Sequence, residues 1–396
     1  MKTKRFEPLG LAGDVSPLAG HDVTPSGHVK GRAAFGFILP LVALAVALAI
    51  QFLADAPVAH TATGEIVISL VAAGLLLGTV FVVLHHAEAL AVELREPFGT
   101  LLLTIAVTVI EVSIITSVML HGDPNPYLAR EAVFSVVMIV CTGLVGICLT
   151  LGALRNYEQD LKQQGTSAFL AVLLTLAVLI LILPDFTMTA SPGRFSALQL
   201  VFVSLLSLLL YGAFLFMQMV RHRRYFIDEH AEQHKESAHP SRSGWEIVLH
   251  AVCLVAGLLA VVILAKRVAA GVDDGLKALQ IQQGDAIVGA LIAFLVLLPE
   301  ALVAIRAALR NELQRALNVA LGSALATIGL TIPTVAALSL LTGTELILGL
   351  GGGDMVLLAT TLTLCIISFG TGRTTVLTGI VHLVVFVAYL LLIAVP

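Results

Sequence analysis

The sequence predicts an all-α polytopic membrane protein with about 11 transmembrane helices, one extra N-terminal helix followed by two inverted five-helix repeats. Three observations carry this. The 396-residue chain is 58% hydrophobic and only 12% charged, with a mean hydropathy of +1.00, whereas a soluble domain carries roughly 25% charge. Its apolar residues gather in runs of about 20, the length at which a helix crosses a bilayer. Once the first run is set aside, ten remain as five plus five. Five crossings are odd, so the second set starts from the opposite face, which is the arithmetic of an inverted repeat.

Residues 1–32 form a tail with Lys2, Lys4, Arg5, Lys30 and Arg32 among scattered Gly and Pro. The apolar run at 33–53 is too long for a signal-peptide core of roughly 7–15 residues, so it reads as a retained extra helix. The first repeat spans 65–220, with helices at 65–84, 99–120, 131–154, 167–183 and 196–220. The helix at 65–84 continues amphipathically through His85-His86-Ala87-Glu88 until Pro97-Phe98-Gly99 breaks it. Gly122-Asp123-Pro124 and Ser191-Pro192-Gly193 are turns. Residues 221–243, rich in Arg, His and Glu, form a solvated linker whose histidines (His222, His230, His234, His239) offer a weaker metal or pH reading. The second repeat, 244–396, has helices at 244–264, 285–304, 316–341, 355–370 and 374–394.

Charge placement orients the chain. With the N-terminus in the cytoplasm and eleven crossings, the cytoplasmic segments hold 17 of the 22 Lys and Arg, as the positive-inside rule requires. Lys266-Arg267 dissents and is expected to snorkel from a helix end. The expected location is the inner membrane. The lipid bilayer and small cations are the expected partners, and a net charge of −4 gives no reason to expect nucleic acid. Cys141, Cys148, Cys253 and Cys365 all lie in apolar runs and read as packing residues.

Two acids stand out, Glu111 in Val109-Ile110-Glu111 and Glu300 in Leu298-Pro299-Glu300. A carboxylate at membrane depth is costly and marks a functional site by default. Each lies in the second helix of its set, so the pair suggests one shared cation site. Thr100, Thr104, Thr108 and Glu111 follow i, i+4, i+8, i+11 spacing along one helix face. Pro299 lacks an amide proton and frees carbonyls in the preceding turn. In the next helix Ser323, Thr327, Thr331 and Thr334 repeat the same spacing, with Asn318 and Gly322 upstream. Ser135 and Thr142 are thinner counterparts. The expected cation ligands are Glu111, Glu300, Thr108, Ser323 and Thr327. His85, Glu88 and Asn318 are candidates for a proton or cation pathway, and His382 for an interhelical hydrogen bond.

An all-oxygen donor set with two carboxylates suits Ca2+, and the absence of thiolates and a histidine cluster argues against zinc or copper. When the cation leaves, two bare carboxylates repel in a low-dielectric cavity and protonation relieves the repulsion. Cation and protons then compete for one site, which with alternating access is antiport. No cofactor is called for. An H-E-x-x-H motif and a P-loop are both missing, which leaves no ground for a metalloprotease or an ATP-driven pump; a channel would need a continuous pore.

Three stretches carry a family resemblance. Glu96-Pro97-Phe98-Gly99-Thr100 running into Ile110-Glu111-Val112-Ser113 is one. Pro299-Glu300 with Gln314-Arg315-Ala316-Leu317-Asn318 and Gly322-Ser323 is the second, and Ile367-Ser368-Phe369 through Thr371-Gly372-Arg373-Thr374 to His382-Leu383 is the third. Together they resemble the calcium/proton antiporter branch of the calcium/cation antiporter superfamily, most closely the bacterial proteins that exchange Ca2+, and in some cases Na+ or K+, for H+. The resemblance implies a ten-helix core, no enzyme activity, and a site built on Glu111 and Glu300 with ligands from the helix after each. Ile110 stands where many members have proline, and Thr327 and Gly143 stand where others have acids or amides. The resemblance therefore leaves the choice between Ca2+ and Na+ or K+ open.

Overall fold

The computed structural model describes residues 27–53, 62–94, 98–120, 125–188, 191–226, 243–278 and 284–395. Most of the expected tail and residues 227–242 of the linker, with His230, His234 and His239, lie outside the described residues. The helices are α1 (Gly27–Leu53), α2 (Ala62–Leu94), α3 (Phe98–Leu120), α4 (Leu128–Met138), α5 (Val145–Asn156), α6 (Gln163–Ala177), α7 (Ala197–Phe216), α8 (Gly244–Ala278), α9 (Gly284–Leu309), α10 (Leu313–Ala326), α11 (Ile332–Thr342), α12 (Gly352–Gly370) and α13 (Val376–Ala394). A π-helical turn, Ile139–Leu144, joins α4 to α5, and another, Thr327–Thr331, joins α10 to α11. Counted with these joins, the described residues form eleven helical stretches. Among the described residues eight are long and apolar enough to cross a membrane, or nine with the bent α9, and α1 and α3 hold shorter apolar stretches, Gly36–Gln51 and Ile105–Thr116.

Local sequence explains several boundaries. Ser196 and Gln199 form a capping box that starts α7. Gly343, at φ +71°, ends α11 in the left-handed conformation that costs glycine little. The helix expected at 244–264 runs on to Ala278. Lys266 and Arg267 therefore lie within α8 rather than at its end.

Packing interleaves the two halves. α2 and α3 lie against α8, α9 against α4 and α5, α11 against α7, and α13 against α5, while α1 rests on α2 and α8. The most apolar part of α4–α5 is 89% buried and that of α10–α11 is 67% buried, against 17% for α13. The two π-broken helices are therefore central and α13 is peripheral. Gly289 permits one close crossing: a Cβ there would lie 2.7 Å from Glu131 Cβ, so only glycine lets α9 approach α4 so nearly.

The loops group into two faces. On one, strands β1 (Gln159–Asp160) and β2 (Arg373–Thr374) pair antiparallel. There Lys162 N donates to Gln314 Oε1 at 2.8 Å, and Lys162 Nζ donates to the Arg224 carbonyl at 3.2 Å. On the other, the amides of Ile347 and Leu348 donate to the carbonyls of Pro126 and Gly193, and Arg194 pairs with Glu345 at 2.7 Å.

Candidate functional site

Glu111 lies on α3, 3% exposed, in the middle of the bundle. Its Oε2 accepts hydrogen bonds from the hydroxyls of Thr327 and Thr331, each at 3.0 Å. These two threonines bracket the π turn between α10 and α11. π turns inside long helices are frequent at functional sites because they displace the ladder and re-aim side chains. Here one carboxylate from the first half is held by two hydroxyls from the second. Glu111 Oε1 is buried without a hydrogen-bond partner.

Glu300 follows a 56° bend between Ala286–Leu298 and Glu300–Leu309, placed at the proline, which cannot continue the helical ladder. It is half-buried, its Oε2 has no hydrogen-bond partner, and it lies within electrostatic reach of the Glu111 and Glu88 carboxylates. Glu300 lines a cavity of about 270 Å³ with Gln218, Arg315, Asn318, Ser323 and the aromatic rings of Tyr211 and Phe214. Arg315, with 46% of its side chain exposed and paired to Glu312 at 3.0 Å, marks the end nearer the linker face.

The other expected residues fall as follows. Thr108 is half-buried on α3, three residues before Glu111 and on the same side of the helix. The side chains of Thr100, Thr104 and Pro299 lie outside the described residues. Ser323 lines the Glu300 cavity. Asn318 also lines it, but its amide is engaged: Nδ2 donates to the Phe226 carbonyl, and Oδ1 accepts from Gln314 Nε2 at 2.9 Å. His85 and Glu88 are exposed on α2. Thr334, the last of the second-half stripe, bonds back to the Leu330 carbonyl at 2.7 Å. Thr142 likewise bonds to the Met138 carbonyl, and Ser135 accepts from Tyr389 Oη at 2.7 Å. His382 bridges helices through the Cys141 carbonyl at 2.7 Å and Ser368 Oγ at 2.9 Å.

Sequence reasoning passed over Thr331 as a ligand although it stood in the stripe. It also missed Tyr211 and Phe214 on α7 and Gln218 in the turn after it, for which no periodic signal existed. The assembled chemistry is two carboxylates with one unpartnered oxygen each, and neutral hydroxyl oxygens beside them. Among the described residues no three His, Cys, Asp or Glu side chains converge as a metal cluster. The donor set is thus hard oxygen of mixed charge, suited to a hard cation.

Comparison with known proteins agrees with this architecture. The model of a family described as sodium/calcium exchanger protein matches the chain twice, at residues 64–220 and 249–395. The Sinorhizobium fredii protein y4hA, named as an ionic transporter, is 47% identical over 338 residues, covering 84% of this chain and 90% of that one. The sodium-potassium/proton antiporter ChaA of Escherichia coli is 39% identical over 328 residues, covering 82% and 88%. Among solved structures, the Ca2+/H+ antiporter YfkE matches with a TM-score of 0.66 at 16% identity, over 91% of this chain and all (100%) of that one. The H+/Ca2+ exchanger CAX matches with a TM-score of 0.67 at 13% identity, over 92% and 89%. At those identities the two structures speak to the fold alone.

Proposed function

Because this chain belongs to the sodium/calcium exchanger family, we propose that it is a secondary transporter that exchanges Ca2+ for H+ across the inner membrane, with Glu111 and Glu300 alternately holding the cation and protons. The observation that carries this reading is a buried carboxylate and a half-buried one, one from each half, within electrostatic reach of each other and each with an unpartnered oxygen. Thr327 and Thr331 donate their hydroxyl hydrogens to Glu111 and so stand beside it, and Thr108 and Ser323 stand near the two acids as further neutral oxygens. Ca2+ takes 6–8 oxygens in a flexible shell, which two carboxylates and several hydroxyls can supply.

The same site run without the cation holds protons instead. Two carboxylates facing one low-dielectric space repel each other, so protons are taken up as the cation leaves. The cavity from Arg315 to Glu300 provides access from the linker face, which we assign to the cytoplasm from the charge bias of the sequence. His85 and Glu88, exposed on α2, are candidates for delivering protons. The two matches to one family model, and the π turns at corresponding places in α4–α5 and α10–α11, support two inverted five-helix repeats at 65–220 and 244–396, with α1 as an addition.

A second reading, Na+ or K+ in place of Ca2+, is favoured by the 39% identity to a protein named as a sodium-potassium/proton antiporter. Everted vesicles separate the two. With an imposed proton gradient, uptake of radiolabelled Ca2+ supports the first reading, and uptake of Na+ or K+ with none of Ca2+ supports the second. Uptake that persists unchanged in Glu300→Gln refutes the role given to that carboxylate.

A further inference from the structure

The chain leaves α7 through a π turn, Met217–Arg221, followed by a 3-10 turn, Arg223–Tyr225. Phe226 then folds back into the bundle, where its ring meets those of Phe169 and Phe214 at 5.6 Å and 5.9 Å between centroids. The Phe226 carbonyl accepts from Asn318 Nδ2, and the Arg224 carbonyl accepts from Lys162 Nζ at 3.2 Å. Gly165 on α6 leaves no room for a Cβ against the Tyr225 carbonyl oxygen. Residues 221–226 are thus a strap with a fixed backbone. Phe214 and Asn318, which hold Phe226, also line the Glu300 cavity, and so does Gln218 in the π turn. The strap therefore lies at the mouth of that cavity.

Arg221, Arg223 and Arg224 are exposed on the strap. Among the described residues no carboxylate pairs with them, whereas Glu131 pairs with Arg130, Glu345 with Arg194, Glu312 with Arg315 and Asp160 with Arg373. Asp228 and Glu229 follow in sequence, outside the described residues. The strap also marks the edge of the apolar zone. Leu209, Phe216 and Val220 are exposed along α7 up to the residue before Arg221, as on the outward side of a membrane-spanning helix. Tyr225 is exposed among the arginines, with the His222 ring stacked on it at 5.3 Å. Exposed tyrosines of this kind sit at the headgroup level of a bilayer.

We propose that Arg221, Arg223 and Arg224 form a binding site for the headgroup of an anionic phospholipid, seated at the mouth of the cavity. The guanidinium fork matches phosphate oxygens in pairs, and the strap holds three such forks at the depth where headgroup phosphates lie. The acyl chains of the same lipid run along the exposed apolar side of α7. A soluble anion gains the first contact and not the second. Phe226 already orders the backbone beneath the arginines, so binding does not carry that entropic cost. A lipid that steadies the strap also steadies Phe214 and Asn318, and with them the cavity mouth.

The purified full chain in neutral detergent is titrated with phosphatidylglycerol and, separately, with phosphatidylcholine of the same acyl chains, and bound lipid is counted by native mass spectrometry. The unaltered chain prefers phosphatidylglycerol by about tenfold or more, since each arginine near an anionic headgroup contributes about fivefold. The triple variant Arg221→Gln, Arg223→Gln, Arg224→Gln loses about fivefold per charge removed and binds the two lipids nearly alike. Arg155, Arg306 and Arg310 are exposed near the same face, at the ends of α5 and α9, and have no ion pair among the described residues. Changing those three to Gln removes the same charge and leaves the preference within about twofold of the unaltered chain. All six side chains are exposed, so both triples keep the fold. No preference in the unaltered chain, or equal losses in the two triples, overturns the site. Displacement of the lipid by glycerol 3-phosphate at matched concentration overturns the lipid assignment in favour of a soluble phosphate. The measurement involves no transport, so its failure is distinct from failure of the cation assignment.

Discussion

Thr331→Val is the sharpest perturbation of the exchange site. It is nearly isosteric, and it removes one of the two hydroxyls that hold Glu111 Oε2 at 3.0 Å. A hydrogen bond to a charged acceptor nets about 1.5–3 kcal/mol. Part of that is recovered by the second hydroxyl, Thr327, on the same oxygen. With about 1.4 kcal/mol left, the cation concentration for half-maximal exchange rises about tenfold. Thr327→Val has an effect of similar size. The double variant falls short of the product of the two, because both hydroxyls serve one oxygen and couple. Thr331→Ser keeps the hydroxyl and restores exchange. Thr334→Val is the internal control: it occupies the same sequence stripe, but its hydroxyl bonds only to the Leu330 carbonyl, so exchange stays within about twofold. The assay is proton-driven cation uptake into everted vesicles, normalised to the amount of protein in the membrane. Equal losses in Thr334→Val and Thr331→Val, or no loss in Thr331→Val, refute the assignment of Glu111 and its hydroxyls to the cation site.

Three further outcomes follow from the packing. Gly289→Ala places a Cβ 2.7 Å from Glu131 Cβ and 2.8 Å from its carbonyl carbon, so thermal unfolding in detergent shifts down by the equivalent of about 1–3 kcal/mol and exchange falls as α9 is displaced. Asn318→Ala strips the Phe226 carbonyl and Gln314 of a partner, and trypsin cuts faster at Arg223 and Arg224. Arg194→Ala removes an exposed ion pair with Glu345, and the unfolding temperature stays unchanged, since pairs of this kind contribute little.

Much of the fold was legible because the bilayer constrains it so tightly. Runs of about 20 apolar residues have few alternatives to a spanning helix. Helix ends were less legible: α8 continues to Ala278 through Gly271, Asp273, Asp274 and Gly275, residues of low helix propensity, because tertiary packing outweighs propensity. The site was half legible. Glu111 and Glu300 stood out because an isolated acid in an apolar run has no bland explanation that comes at low energetic cost. The threonine stripe was visible as a period, but the period does not say which hydroxyl meets a carboxylate and which bonds back to its own helix. His250 on α8 carried no signal as a hydrogen-bond partner of His86 on α2, since 164 residues separate them.

The sequence by itself determined the membrane-spanning class and singled out the two acids, both properties of hydropathy and charge along one dimension. Only the tertiary structure decided that Thr327 and Thr331 reach across to Glu111 while Thr334 does not, that Glu300 opens into a cavity lined from α7, and that Asn318 clamps the start of the linker. Those choices depend on how helices from the two halves interleave and where a π turn re-aims a side chain. They are set by packing between segments far apart in the chain, which no local pattern encodes.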